Sequence, residues 1–183
     1  NLENINVDRT PSGQIITNDN YETTVPHIYA VGDITDTMAL TPVAIAEGHI
    51  LADRLYRKDG QHKANKNLIA SAVFTSPPLA TVGLTEQQAR DKGFAVEIYR
   101  TSFKPMIHVL SKREERAMMK IVVDKKTDKV LGMHMGGKDS PEIMQGFAAA
   151  MVAGITKSQL DQTIGIHPSS AEEFVTMREP VSE

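Results

Sequence analysis

Cysteine and tryptophan are both absent from the 183 residues, and aromatic side chains make up only 5% of them. Without cysteine the chain has no disulfide bond, no thiol nucleophile and no cysteine-ligated zinc. Nine methionines and an apolar content of 40% predict a core of aliphatic and thioether side chains. A cysteine-free sequence suits a reducing compartment, and we expect the protein in the cytoplasm.

A strong charge of one sign and a long apolar run are missing as well. The net charge of -3 gives no general attraction to nucleic acid or to an anionic membrane. No apolar run approaches the roughly 18 residues that a membrane-spanning helix needs. The scattered His27, His62 and His108 lack the spacing of a metal site. We therefore predict no nucleic-acid, membrane or metal partner.

A polar stretch over residues 58–67 divides the sequence in two. Ahead of it we predict a hairpin over 5–18, a buried strand of the parallel type over 28–33 and a helix over 41–56. Thr41 is the expected N-cap of that helix, with Pro42 at its first helical position. The first residue is not methionine and the start resembles no signal peptide, so we expect a segment of a longer protein. Residues 1–67 are predicted to be the remnant of an α/β domain.

In the second part, residues 68–183, predicted strands come before most of the predicted helices. Short or alternating apolar runs predict strands over 72–75, 80–83, 96–103, 117–123 and 129–135. Helix start signals occur at Thr85, Ser140, Thr156, and Ser169 or Ser170. This order predicts an α+β domain in which an antiparallel sheet carries helices on one face.

The most informative segment is Ile166-His167-Pro168, followed by Glu172 and Glu173. Most histidines pack or cap, but Pro168 restricts the backbone on both sides of its peptide bond and permits a cis bond. Glu172 is near enough to turn back toward an imidazole nitrogen, where it selects the tautomer and leaves the other nitrogen as an acid or base. The alternative for both glutamates is helix capping with the preceding serines. The pattern alone leaves both interpretations open.

A second chemical signal is Asp33, which ends the predicted strand directly after Gly32. Ligands of open α/β sheets gather at the carboxyl ends of strands, where an aspartate accepts hydrogen bonds from sugar or ribityl hydroxyls. The helix start at Thr41 presents backbone N–H groups to an electron-rich ligand. The alternative is an ordinary loop acid. The pattern indicates the edge of a cofactor site without specifying the cofactor.

Taken together, these segments resemble the C-terminal part of the glutathione reductase family, within the flavin-dependent disulfide reductases. The matching stretches occur in the order of that family and cover essentially the whole chain: 28–33, 40–46, 74–78, 81–86, 101–106, 144–148 and 166–178. The resemblance implies that residues 1–67 end a nucleotide- and FAD-binding region and that residues 68–183 form a dimerisation domain, through which the protein is a homodimer.

The resemblance also implies roles for individual residues. Asp33 would hydrogen-bond the ribityl–pyrophosphate region of FAD, and Thr41 would offer backbone contact near the flavin ring. His167 would be the acid/base that protonates the leaving thiol of glutathione, with Glu172 as its carboxylate partner. The site would serve a protein that reduces glutathione disulfide with electrons from NADPH.

Four further positions are assigned to the disulfide substrate by the same resemblance: Met106, Glu173, Thr176 and His49. Members of the glutathione type usually carry arginine where His49 stands, and a histidine holds a substrate carboxylate only when protonated. Trypanothione reductase and other relatives therefore stay open as alternatives, as does a role as a dimerisation module alone. The redox cysteine pair, flavin fingerprint and NADPH domain precede this segment in the family, so we expect the isolated chain to be inactive and without FAD.

Overall fold

The structure, a computed structural model, describes residues 2–57 and 65–181. It divides into two compact units, Asn1–Asn65 and Lys66–Glu183. Most of the predicted boundary stretch, with His62, lies outside the described residues. The assignment of 1–67 and 68–183 to two functional domains stays a prediction.

The described part of the first unit consists of turns, single β-bridges and one long helix. Its helical elements are two 3-10 helices, Leu2–Ile5 and Gly32–Ile34, and the α-helix α1, Thr41–Tyr56. Isolated bridges join Arg9 to Ile15, Ile15 to Thr35 and Glu22 to Tyr29. Val7, Ile15 and Ala30 form a small buried cluster among these turns.

The prediction of a strand over residues 28–33 is wrong. Tyr29 makes only a single bridge, and a 3-10 helix begins at Gly32. A regular strand needs a partner over several residues, whereas the described part of this unit offers only single-residue pairings. The hairpin prediction holds for its turn, since the Thr10 and Ile16 amides donate to Gln14 and Asp8 carbonyls across it. Its first strand does not form, because Ile5 ends the 3-10 helix and the next two residues belong to no strand.

Helix α1 has the predicted extent but a different cap. Leu40 is the N-cap, with extended φ and ψ of -134° and 132°, and no side chain caps this helix. The Leu40 carbonyl accepts from the Val43 and Ala44 amides, which makes Thr41 the first helical residue rather than the cap. Pro42 still lies in the first turn, where its missing N–H costs nothing.

The second unit is built on a five-stranded sheet of order β1-β2-β5-β4-β3 in which every neighbouring pair is antiparallel. The strands are β1 Ser71–Val73, β2 Leu79–Gly83, β3 Val96–Phe103, β4 Ala117–Asp124 and β5 Val130–Gly136. Five helices accompany them: α2 Glu86–Asp91, α3 Ile107–Ser111, α4 Ser140–Val152, α5 Lys157–Gln162 and α6 Glu173–Thr176.

The main core lies on one face of this sheet. Alternate residues of β4, Met119, Ile121 and Val123, pack there against residues from α4, α5 and α6, including Met144, Leu160 and Phe174. On the other face, Ala89 of the short helix α2 packs with Val96, Ile98 and Val122 in a smaller cluster. The predicted α+β class with an antiparallel sheet is confirmed.

Local helix signals are reproduced where they form capping boxes. Thr85 with Gln88 caps α2, and Thr156 with Gln159 caps α5, each with both reciprocal hydrogen bonds. Helix α3 was not predicted. Within the described residues, no helix is long and apolar enough to cross a bilayer.

Candidate functional site

A groove with a volume of about 510 Å³ lies in the second unit. Its walls come from three segments that are distant in sequence: the end of β3 and start of α3, the β5–α4 loop, and the loop before α6. They contribute residues 103–107, 138–139 and 167–173, together with Ile143 of α4. The groove therefore exists only because the sheet and its helices bring these segments together.

The core explains why the segment with His167 is held at this edge. Phe174, the second residue of α6, is fully buried, and its ring lies 4.8 Å from that of Phe147 in α4. Val175 and Met177 are buried in the same cluster. This apolar anchor holds α6 against the core, and the polar residues immediately before it line the groove.

His167 and Glu172 contact each other directly in the groove wall. His167 Nδ1 lies 3.1 Å from Glu172 Oε1 and 3.2 Å from Oε2. The histidine side chain is 74% exposed, whereas that of the glutamate is 18% exposed. A carboxylate only accepts, so this contact assigns the Nδ1 proton and leaves Nε2 as the second, solvent-accessible nitrogen. The bond from His167 to Pro168 is cis.

The same glutamate also exchanges hydrogen bonds with Ser169 in the loop before α6. Ser169 donates its amide N–H to Glu172 Oε1 at 3.2 Å, and the Glu172 amide donates to Ser169 Oγ at 3.3 Å. This reciprocal pair has the form of a capping box. However, α6 begins only at Glu173, its N-cap position is occupied by Glu172, and no side chain hydrogen-bonds to its first amides. Ser169 therefore stabilises the loop rather than the helix start, and Ser170 forms no cap.

Glu173 and Met106 line the groove beside this pair. Burial raises the pKa of the Glu173 carboxyl, and the neighbouring Glu172 charge adds to the increase. Met106 is 60% exposed at the start of α3 and presents an apolar side chain to the groove. The arrangement combines an acid/base candidate, its carboxylate partner and an apolar contact in one depression.

The other predicted site residues lie elsewhere. Thr176 ends α6 on an exposed position outside the groove lining, with its hydroxyl donating to the Glu173 carbonyl at 3.5 Å. Asp33, Thr41 and His49 belong to the first unit and are exposed there.

The surroundings of Asp33 and Thr41 suit a polar part of a dinucleotide. The Gly32 amide donates to Glu47 Oε2 of α1 at 2.7 Å, and a Cβ at Gly32 would lie 2.9 Å from Ala44 Cβ. This close approach packs the 3-10 helix against the first turns of α1. Asp33 in this 3-10 helix is exposed and can accept from hydroxyls. At the start of α1 the Thr41 amide is the one left to donate to a ligand, because Pro42 has no N–H and the Val43 and Ala44 amides donate to the Leu40 carbonyl.

Sequence reasoning did not single out the lysines of the groove. Lys104 lines one wall and binds Glu114 Oε1 at 3.0 Å, while Lys138 lines the wall formed by the β5–α4 loop. Neither has a spacing signal, because each reaches the site from its own segment. Among the described residues, no three His, Asp or Glu side chains come together in a way that could hold a metal ion.

The fold agrees with comparisons to known families. Residues 69–178 match the family described as "Pyridine nucleotide-disulphide oxidoreductase, dimerisation domain". Residues 1–48 match "Pyridine nucleotide-disulphide oxidoreductase". The chain belongs to the pyridine nucleotide-disulphide oxidoreductase family.

Individual relatives narrow the resemblance to glutathione reductases, as predicted from the sequence. A glutathione reductase of Nostoc sp. is 54% identical over 90% of this chain and 36% of its own length. The chloroplastic/mitochondrial glutathione reductase of Pisum sativum is 45% identical over 98% of this chain and 32% of its own. The glutathione reductase of Burkholderia cepacia is 46% identical over 97% of this chain and 39% of its own length. The chain spans about a third of the length of these relatives.

Proposed function

We propose that this chain is the C-terminal part of an FAD- and NADPH-dependent reductase of glutathione disulfide. The observation that carries the proposal is the contact between His167 Nδ1 and Glu172 at 3.1 Å, in the wall of an open groove. The family and the names of its relatives support the disulfide as substrate. Since a curated relative is chloroplastic/mitochondrial, the cytoplasmic localisation stays a prediction.

The proposed role of His167 is to move protons at sulfur. A thiolate of a reduced dithiol attacks one sulfur of glutathione disulfide, the S–S bond breaks, and its electron pair leaves on the other sulfur. His167, which became an imidazolium when Nε2 took the proton of the attacking thiol, gives that proton to the leaving sulfur, so the first glutathione departs as a thiol. His167 then takes the proton of the second enzyme thiol, which attacks the mixed disulfide, and returns it to the second glutathione.

Glu172 orients the ring for this exchange. Its carboxylate holds Nδ1–H, so Nε2 is the nitrogen that gains and loses the proton, and it stabilises the imidazolium that exists between steps. Glu173 and Met106 line the space in which the disulfide would lie. The proposal also assigns substrate contacts to Thr176 and His49, both of which are exposed.

The dithiol must come from outside this chain, which contains no cysteine. FAD, when bound, supplies electron transfer from NADPH to that dithiol. Asp33 would accept a hydrogen bond from the ribityl–pyrophosphate region, and Thr41 would contact the flavin through its backbone. On these grounds we propose that the isolated chain neither retains FAD nor oxidises NADPH.

We also propose that residues 68–183 form the interface of a homodimer, so that His167 of one protomer serves the dithiol of its partner. This unit carries large apolar side chains in exposed positions: Leu110 and Ile164 are each 94% exposed, and Ile166 is 79% exposed. Such side chains are typical of a surface that a partner covers. Light scattering coupled to size-exclusion chromatography of the chain is expected to give the dimer mass, and a monomer would contradict this interface.

The acid/base role is tested by His167→Gln in the full-length protein. We expect kcat for glutathione disulfide to fall by about 100- to 10,000-fold, while flavin reduction by NADPH, followed by stopped-flow absorbance, keeps its rate. His27→Asn is the control, because His27 is exposed and asparagine tolerates its left-handed φ of 61°. Turnover by His167→Gln within about twofold of the wild type would overturn the assignment. Trypanothione disulfide, assayed beside glutathione disulfide, separates the two substrate types.

A further inference from the structure

The β5–α4 loop brings one lysine, Lys138, to the groove from a firmly anchored backbone. On one side of it, the Gly137 amide donates to the Pro78 carbonyl at 2.9 Å. On the other side, Ser140 is fully buried and its hydroxyl donates to the same carbonyl at 3.0 Å. Both neighbours of the Lys138–Asp139 dipeptide are therefore tied to the loop that precedes β2.

The conformation of this loop depends on close packing. Gly137 has a φ of 146°, and a Cβ there would lie 2.8 Å from Ala117 Cβ, so only glycine fits. Asp139 adopts a left-handed φ of 65° directly before α4. A loop held in this way presents Lys138 at one place on the groove wall rather than over a wide range.

Two other charged side chains of the groove already have partners. Lys104 binds Glu114, outside the groove lining, at 3.0 Å. Glu172 accepts from His167 and Ser169. Lys138 is exposed, and within the described part of the chain no carboxylate lies within ion-pair distance of it. It is thus the groove cation whose charge is available to a ligand.

We propose that Lys138 binds a carboxylate of the disulfide substrate and so makes the groove selective for acidic disulfides. This inference rests on the proposed function and deepens it. Glutathione carries carboxylates at its glycine and γ-glutamyl ends, and the lysine ammonium attracts such a group as a compact point charge. Because the lysine forms no hydrogen bond with the proton-transfer pair, its contribution is to substrate binding and not to the chemical step.

The test uses Lys138→Gln in the full-length protein. The paired substrates are glutathione disulfide and its methyl ester, in which the glycine and γ-glutamyl carboxyls are all esterified. We expect KM for glutathione disulfide to rise about three- to tenfold, the range of one partly solvated charged hydrogen bond. kcat should stay within about twofold. KM for the ester should be the same for variant and wild type, because the ester lacks the charged group that Lys138 binds. Lys138→Glu should raise KM for unesterified glutathione disulfide further.

Lys129→Gln is the matched control, since Lys129 lies in the β4–β5 turn at the opposite end of β5 from Lys138. An unchanged KM for glutathione disulfide in Lys138→Gln would overturn the inference. So would an equal rise in KM for acid and ester, which would indicate a structural effect. A wild-type protein that fails to reduce glutathione disulfide would contradict the proposed function and this inference together, whereas an active wild type with an unaltered variant contradicts only the inference.

Discussion

One oxygen of Glu172 accepts two hydrogen bonds: Oε1 lies 3.1 Å from His167 Nδ1 and 3.2 Å from the Ser169 amide nitrogen. Of the two interpretations that the sequence left open, the carboxylate contact with histidine is present, whereas the hydrogen bond with Ser169 stabilises the loop and does not cap α6. The Ser169 amide fixes the carboxylate, and the fixed carboxylate orients the ring. Structural and chemical roles can be separated by substitution.

Glu172→Gln should lower activity with little change in stability. The amide oxygen still accepts from the Ser169 N–H, but the negative charge that stabilises an imidazolium at His167 is gone. We expect kcat for glutathione disulfide to fall about 10- to 1,000-fold, with the melting temperature within about 2 °C of the wild type. Steady-state kinetics and circular dichroism melting measure the two effects.

Glu172→Ala is the companion variant, since it removes both the charge and the acceptor of the Ser169 amide. Loss of the hydrogen bond that this amide donates to Oε1 should cost about 0.5–1.5 kcal/mol of unfolding free energy in addition to the kinetic defect. If Glu172→Gln were as unstable as Glu172→Ala, or as active as the wild type, the separation of roles would be wrong.

Glu173 should make stability depend on pH. Burial and the Glu172 charge raise the pKa of its carboxyl in the folded protein, so folding favours the protonated form. Deprotonation of Glu173 in the folded protein therefore lowers the free energy of unfolding. This loss of stability is complete above the raised pKa and absent below about pH 4, where the carboxyl is protonated in both the folded and the unfolded state. Glu173→Gln should accordingly raise the melting temperature at pH 7, and the gain should vanish as the pH falls to 4.

The control for that titration is Glu142→Gln. Glu142 is exposed in the first turn of α4, where a negative charge is favourable, so its neutralisation should give no gain at pH 7. A stabilisation by Glu173→Gln that is the same at pH 4 and pH 7 would contradict the burial penalty as its cause.

Phe174 should be essential for stability, because it anchors α6 in the core. It is fully buried and contacts Phe147 with a ring distance of 4.8 Å. Phe174→Ala should lower the unfolding free energy by about 3–5 kcal/mol. Denaturant unfolding followed by circular dichroism is the appropriate measurement, since the chain has no tryptophan.

Phe74→Ala makes the same change at a position that is 83% exposed, and should cost less than about 1 kcal/mol. A similar loss at both positions would show that the buried environment of Phe174 is not the source of its contribution.

Sequence patterns predicted elements best where the signal is local. The capping boxes at Thr85 and Thr156 and the strand predicted over 96–103 each depend on a few neighbouring residues. The structure confirms both boxes and the strand, β3. The strand over 28–33 was predicted wrongly because an apolar run indicates burial but not the pairing that makes a strand. Helix α3 has only five residues and carries no capping signal, so it had no pattern to detect.

The candidate site was predictable in part for the same reason. His167, Glu172 and Glu173 lie within seven residues, so their proximity follows from chain spacing. Met106 was assigned to the site only through the resemblance to a family, and the sequence analysis made no prediction for Lys138. Both reach the groove from segments that are distant in sequence.

The order of residues by itself determined the antiparallel α+β class and the capping boxes at Thr85 and Thr156, and it placed Glu172 within reach of His167, because each depends on short-range periodicity or contact. Only the tertiary structure decided that the β3–α3 turn, the β5–α4 loop and the segment before α6 share one groove. Their meeting results from long-range burial: Phe174 and its neighbours pack against α4 and the sheet, and the polar residues beside them are left at the surface together.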